Sequence, residues 1–380
     1  VTTLQKLGFD RVVAEPVRVP RWVRREAAVE LLSPWPQPLV AVSLGGSVGT
    51  PGEGVEAEVV GVLNVAALEK LPSEAVRGKI VFLTQRMVRT SDGSGYGEVV
   101  PNRTRGAVEA ARKGARAVVL RSTGTSEARF AHTGAMRYEA GVERIPAFAL
   151  AHADADLLEA ALGTGQPVRL KVRSSAREEG EVESANVLGE VRGRERPEEI
   201  VLVGAHLDSW DLSPSANDDA AGVAIAIEAA RRLLLEPVRP RRTVRVVLFA
   251  NEEFGLSGAR AYLDAHRGEL PQHMAALEAD LGSGRVLAFR SRVADADRAA
   301  VAELAQELSG LGIPWKEEPA RGGADIGGLG RMGVPLFDLA PDATHYFDVH
   351  HTQNDTLLAI DREGLEHQAE AFARVVRWLA

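Results

Sequence analysis

The sequence predicts an α/β protein with a β-rich module inserted into it. From Ala185 onward, apolar runs that read as strands alternate with apolar-periodic stretches that read as helices. Between about Ala57 and Leu170 the texture changes to short strand-like runs with few, short helices. In the alternating part His, Asp and Glu gather where the apolar runs end, the place at which open α/β sheets carry their chemistry.

Composition narrows the classes. A chain of 380 residues holds one large domain or two of ordinary size. Hydrophobic content of 45% and charge of 26% are those of a globular protein. No apolar run is long enough to span a bilayer. The net charge is −8 and no basic run carries interleaved aromatics, which argues against nucleic acid as a partner. Cysteine is absent, so disulfides, thiolate metal sites and a cysteine nucleophile are excluded. The first residues, Val1-Thr-Thr-Leu-Gln-Lys6, form no signal-peptide core, and there is no initiator Met. The expected compartment is secreted or periplasmic if a signal peptide has been removed, and cytoplasmic otherwise.

In chain order, residues 1 to about 40 read as a short helical start, an extended piece (12–19) and a second helical piece (22–32) that Pro34 and Pro36 end. Residues 39–44 read as a strand. Gly45-Gly-Ser-Val-Gly49 fits a nucleophile elbow, which needs a helix directly after it. Thr50-Pro-Gly-Glu-Gly54 starts a helix badly, so a glycine-rich turn is expected and a serine hydrolase at Ser47 is the weaker alternative. Inside the module, 59–63, 79–83, 117–120 and 145–150 read as strands, and 106–113 and 154–162 as helices. Arg103, Arg105 and His132 are its notable polar residues. A charged stretch, 174–183, reads as the linker that closes it. In the alternating part, strands are expected at 200–206, 243–250, 275–280, 285–289 and near 334–339. Helices are expected near 217–235, 256–267, 294–310 and 362–379. On the last, Leu365, Ala369, Phe372, Val376 and Leu379 make one stripe.

Five polar clusters sit at the boundaries of these elements. His206-Leu-Asp208 closes the first strand, and a histidine with a carboxylate two residues on looks like a metal ligand and its orienting partner. Asn217-Asp-Asp219 opens a helix, where one acid would satisfy the dipole and two exceed that need. Glu252-Glu253 follows the second strand, so one carboxylate can bind a metal while its neighbour stays free as a base. Asp280 follows the third. His345-Tyr-Phe-Asp-Val-His-His351 holds three of the nine histidines. Together these exceed what one tetrahedral zinc needs. They suit two divalent ions sharing a carboxylate, an arrangement that polarises a carbonyl and lowers the pKa of a bridging water. A nearby unligated carboxylate then moves the water's proton to the leaving amine. The expectation is hydrolysis of an amide or similar bond with two Zn2+ per chain, Co2+ or Mn2+ being the alternatives.

The order His-x-Asp, Asn-Asp-Asp, Glu-Glu, Asp, His resembles the co-catalytic dizinc aminopeptidase family. The likeness runs over nearly the whole chain, through Glu15-Pro-Val-Arg-Val-Pro20, Gly49-Thr-Pro51, Arg77-Gly-Lys-Ile80, Gly106-Ala-Val-Glu-Ala-Ala111, His132-Thr-Gly134, His206-Leu-Asp-Ser-Trp-Asp211 and His350-His351. The resemblance implies a zinc exopeptidase-like fold, a mixed sheet sandwiched between helices, formed by residues 1–56 and 171–380. It implies that 57–170 is an inserted protease-associated domain. It also implies that Asp218 bridges both ions, with His206 and Glu253 completing one site and Asp280 and His351 the other. Glu252 would be the general base and Asp208 the residue that orients His206. His351 is preferred to His350 because Asp355-Thr356 follows it at the family spacing. The implied activity is that of an aminopeptidase or dipeptidase on unblocked small peptides, and the implied assembly a homodimer.

An exopeptidase must also bind a free terminal charge. Arg103 or Arg105 is the candidate for a carboxylate, and Asp325 or Asp211 for an amine. His345, Tyr346 or His350 is the candidate donor to the developing oxyanion. Two other classes stay open at this point: a one-metal acyl-transfer enzyme of the same fold, of the glutaminyl cyclase type, and a non-catalytic interaction protein.

Overall fold

The computed structural model describes residues 1–380. They form two compact units: Val1–Val19 with Val182–Tyr346 and Asp355–Ala380, and Pro20–Glu181 with Phe347–Asn354.

The sheet of the first unit has seven strands: β1 (Arg11–Val23), β2 (Arg177–Val191), β3 (Arg196–His206), β4 (Arg242–Phe249), β5 (His273–Glu278), β6 (Val286–Arg292) and β7 (Leu336–Pro341). Their order is β1-β2-β4-β3-β5-β7-β6. The inner four run parallel, while β2 and β6 pair antiparallel at the flanks. The sheet is therefore mixed.

Helices cover both faces. Val201, Val203 and Ala205 pack with Ile225, Ala226 and Ala229 of α1 (Ala221–Leu234), with Val301 and Leu304 of α3 (Arg298–Ser309), and with Phe372 and Val376 of α5 (Arg362–Leu379). Leu202 faces the other way, among Tyr262 of α2 (Ser257–Ala265) and Ile326 and Leu329 of α4 (Gly323–Arg331). A strand covered on both faces has no polar side to write, which is why 200–205 is continuously apolar. Each such aliphatic side chain contributes about 1.5–3 kcal/mol by leaving water. Helix α5 begins on Asp361, whose carboxylate accepts from Gly364 N at 3.1 Å and so satisfies a helix-end donor. Register then sets the site: His206 lies beside Phe249, and Gly204 beside Glu278. The carboxyl ends of β3, β4 and β5 thus finish at nearly one level.

The second unit has its own eight-stranded sheet, in the order 37–39, 27–33, 169–174, 55–62, 80–83, 117–121, 147–150, 41–43. Strands 55–62, 80–83, 117–121 and 147–150 are parallel, with apolar clusters on both faces.

Several sequence expectations change here. The unit starts at Pro20 rather than at 57 and ends at Glu181 rather than at 170. Residues 27–33 are a strand where a helix was expected, because they pair with 169–174 in a sheet. The helix expected at 106–113 is the second half of Ser94–Arg112; Gly95, Gly97 and Pro101 obscure its first half. Most of the presumed linker 174–183 is strand, from Arg177 onward, its run of acids hiding it.

Candidate active site

The site of the first unit gathers at the carboxyl ends of β3, β4 and β5. His206 ends β3, buried, and its Nδ1–H donates to the backbone oxygen of Asp208 at 2.9 Å. That bond fixes the tautomer and leaves Nε2 to face the acids. Nε2 lies 3.2 Å from Asp218 Oδ1 and 3.5 Å from Asp280 Oδ1. His206, Asp218 and Asp280 each bring one ligand atom to within 4.8 Å of the others. His206 is thus grouped with Asp280, not with Glu253 as the family pattern was first apportioned. The physical reason is register: β3 and β5 are adjacent parallel strands, whereas Glu253 sits four residues beyond the end of β4.

Asp208 does a different job from the one expected. Its carboxylate is 3.7 Å from His206 Nδ1, too far for a hydrogen bond. It accepts instead from Glu252 N at 2.9 Å and Glu253 N at 3.2 Å. His206 is oriented by the Asp208 carbonyl, and the Glu252-Glu253 turn by the Asp208 carboxylate. Asn251 stands before that turn at φ 63°, a left-handed conformation that asparagine tolerates. Glu253 Oε2 accepts from the Trp210 indole at 2.6 Å.

Two carboxylates outside the expected set hold Asp218 and His206. Asp355 accepts from Asn217 N at 2.7 Å and Asp218 N at 3.0 Å. Asp219 accepts from His206 N at 3.0 Å and Gly222 N at 3.1 Å. A Cβ on Gly222 would come within 2.3 Å of Asp219 Oδ1 and 2.0 Å of the Ala279 carbonyl, so only glycine fits. The sequence did carry a signal for both, as the second acid of Asn-Asp-Asp and the acid closing His-His-Thr-Gln-Asn-Asp. Glu278, also outside the set, accepts from Ala324 N at 3.0 Å and Ile326 N at 2.8 Å at the start of α4.

Crowded burial shapes the titration. Burial, then Asp280, pushes Glu252 up to about 8. Burial, then Asp218, holds Glu253 well above the carboxylate range. Asp219, Asp280 and Asp208 are raised in the same way, burial being the largest cause for each. Burial would lower His206, but Asp280 and Asp218 outweigh it and push the imidazole up. Protons are thus retained by groups whose buried oxygens and nitrogen are the ligand types that divalent cations take.

The remaining expected residues divide. Asp325 is buried beside Glu278, both its oxygens lack a hydrogen-bond partner, and burial followed by the Glu278 charge raises it strongly. Tyr346 is buried too, raised by burial and then by Asp218. Asp211 and His345 are exposed. His350 and His351 belong to the second unit. There His351 Nδ1 faces the Thr133 carbonyl at 3.3 Å, the Thr133 N–H donates to the His351 carbonyl at 3.0 Å, and His132 Nδ1–H donates to the His350 carbonyl at 2.7 Å. Ser47 is buried and accepts from Ala147 N at 2.9 Å while donating to Val48 O, so its hydroxyl is a structural fastener.

The family model described as Peptidase family M28 matches residues 186–376. Carboxypeptidase Q of Xenopus laevis is 36% identical over 359 residues, covering 94% of this chain and 75% of that protein. The human carboxypeptidase Q is 34% identical over 372 residues, 98% of this chain and 77% of the relative. The chain belongs to peptidase family M28. It is therefore a metallopeptidase, a hydrolase. The crystal structure of an M28 peptidase precursor from Shewanella amazonensis is 44% identical and superimposes with a TM-score of 0.98, covering 100% of this chain and 86% of that one. The mixed α/β fold with helices on both sides of the sheet is the one the sequence led one to expect, and it matches M28 peptidase structures.

Proposed function

We propose that this M28 peptidase is an exopeptidase that releases residues from unblocked small peptides, with two zinc ions held per chain and Glu252 as general base. The observation that carries this reading is the convergence of His206, Asp218 and Asp280 on one point, with Glu252 and Glu253 presented by the adjoining turn. Nitrogen and oxygen donors without thiolate suit zinc, and a Bacillus subtilis protein of the same fold, at 19% identity and a TM-score of 0.69, is described as a zinc aminopeptidase. The donor set fits the metal: carboxylates raised by burial and then by one another's charge are relieved by a divalent cation.

In this reading Asp218 is shared, His206 and Asp280 hold one ion, and Glu253 and His351 the other. His351 is assigned from the motif order, and its Nδ1 contact to the Thr133 carbonyl leaves Nε2 as the ligand atom. Bound zinc would polarise the scissile carbonyl and acidify water. Glu252 takes the proton of the attacking water and delivers it to the departing amine. Its elevated pKa in the metal-free chain would fall once cations neutralise Asp280 and Asp218. The Tyr346 hydroxyl donates to the oxyanion. Asp325 is the candidate partner for the substrate's free amine. The inserted unit is read as a protease-associated domain.

The test is Glu252→Gln. Zinc content should stay as in the parent, while turnover of unblocked dipeptides drops by about a thousandfold. A variant that keeps its turnover removes Glu252 from the role of base.

A further inference from the structure

We infer that His132 and His152 form a further metal site, lying wholly within the second unit, which holds one soft monovalent cation of the Cu+ type between two imidazoles. The site stands apart from the exopeptidase reading above, because neither histidine has a part in that reaction.

The two histidines meet at the carboxyl ends of adjacent parallel strands, 117–121 and 147–150, the edge at which such sheets receive ligands. His152 begins the helix that follows 147–150. His132 stands in the segment after 117–121, and Ser122 ties it to both strand ends. The Ser122 Oγ accepts from His132 N at 2.8 Å and donates to the Leu150 carbonyl at 2.7 Å. The imidazole centroids are 6.0 Å apart, with their planes inclined by 68°. Gly124 lies against the His132 ring so closely that a Cβ there would come within 2.2 Å of Cε1 and 2.5 Å of Nε2. Phe130 packs beside the same ring, 5.6 Å between centroids. His132 is fully buried and His152 is 6% exposed. On each of them Nε2 is buried and has no hydrogen-bond partner.

Buried ring nitrogens are normally bonded, and histidines elsewhere in the chain follow that rule. His266 spans Glu15 and Glu269, His273 spans the Tyr262 hydroxyl and the Glu269 carbonyl, and His367 spans Val286 N and the Leu311 carbonyl. In the pair only one side of each ring is taken. His132 Nδ1–H donates to the His350 carbonyl at 2.7 Å, and the Gly124 backbone hydrogen-bonds His152, so Nε2 carries the lone pair on both. A backbone carbonyl on one nitrogen with the other left bare is how ligating imidazoles are oriented. Both rings are neutral at ordinary pH. Burial, then His152, lowers His132 to about 3, and burial, then the Arg121 charge, lowers His152 to about 4. A cation therefore has no proton to displace. No third His, Asp or Glu joins the pair in a ligand group, so the four-coordinate shell of zinc is not met. Two neutral nitrogens do complete the linear shell of Cu+, and imidazole suits copper. Two metal–nitrogen bonds of about 2 Å with a ring at each end put the centroids about 6 Å apart, and 6.0 Å is the separation found.

The experiment titrates Cu+, kept reduced and free of oxygen, into protein already incubated with zinc, against a coloured Cu+ chelator. Copper and zinc are measured in the same sample. The parent should take up a single Cu+ per chain with its zinc content unchanged. His152→Phe keeps the volume of the ring and removes one donor. Its Cu+ affinity should fall by about 100-fold or more, with zinc content and peptidase activity as in the parent. X-ray absorption of the copper-loaded parent covers the case of a variant that fails to fold, and should show two nitrogen donors with imidazole scattering. An unchanged affinity in His152→Phe, uptake only at the expense of zinc, or copper bound by three or more donors overturns the assignment. So does the absence of any Cu+ uptake, which would leave the pair to a bridging water.

Discussion

Two buried polar clusters in the first unit show what separates a structural network from a reactive one. Around Arg245 every partner is present. Arg245 donates to Glu190 at 2.8 Å, to Glu269 at 2.9 Å and to the Tyr262 hydroxyl at 3.0 Å. Tyr262 donates to His273 Nε2 at 2.9 Å, and His273 Nδ1–H to the Glu269 carbonyl at 2.9 Å. His266 bridges Glu15 and Glu269 at 3.0 and 3.1 Å. Donor and acceptor roles run in one consistent chain. At the carboxyl ends of β3, β4 and β5 the balance is different. Asp208, Asp218, Asp219, Glu252, Glu253 and Asp280 gather about the His206 imidazole, and burial with mutual repulsion raises Glu252, Glu253, Asp219 and Asp280. Both clusters are buried, so burial does not tell them apart. Charge closure does: the first is complete within the chain, and the second is, in the proposed reading, completed by added cations.

That contrast can be broken from either side. Arg245→Leu strips the closed network of its cation and should destabilise the protein by about 3–5 kcal/mol in denaturant unfolding, with zinc affinity of the folded fraction unaltered. A loss of zinc affinity would mean that the two clusters are not independent. Asp208→Asn touches the open cluster without removing a ligand. An amide oxygen replaces only part of the carboxylate that receives Glu252 N and Glu253 N. Such support of a metal site typically affects affinity or activity 10–100-fold, so a fall of about 30-fold in kcat with stability nearly constant is the expected result. Equal activity would show that the Glu252-Glu253 turn holds itself.

The smallest effect is one of pH. Glu252 and Glu278, pushed from 4.5 up to about 8, bind more protons in the folded chain than in the unfolded one. Stability linked to them is therefore lost as pH rises. Melting of the metal-free protein should move down by several degrees between about pH 4.5 and about pH 8, and zinc should recover most of that at the alkaline end. A metal-free melting temperature that rises over this window would contradict the open-cluster description.

Much of this was legible in the sequence, and the reasons are local. The run Ile200–Ala205 has to be a doubly covered strand because it has no polar side, and the polar residues that terminate it and its neighbours mark the end of the sheet where the chemistry sits. What stayed hidden depends on pairing between distant segments. Grouping His206 with Asp280 follows from the β3–β5 register, which composition does not reveal. The division of labour within Asp208, carbonyl to His206 and carboxylate to the Glu252-Glu253 turn, is a matter of ångströms. Arg103 was noted only as one of two arginines, because glycine and Pro101 disguise the helix that buries it.

The most direct test of the open cluster is the zinc content of the purified, zinc-loaded protein by elemental analysis, for the parent and for Asp218→Asn. The expected result is two zinc ions per parent chain, with at most one retained when the shared carboxylate is lost. A parent that binds one ion or none, or an Asp218→Asn variant that keeps two, would contradict it.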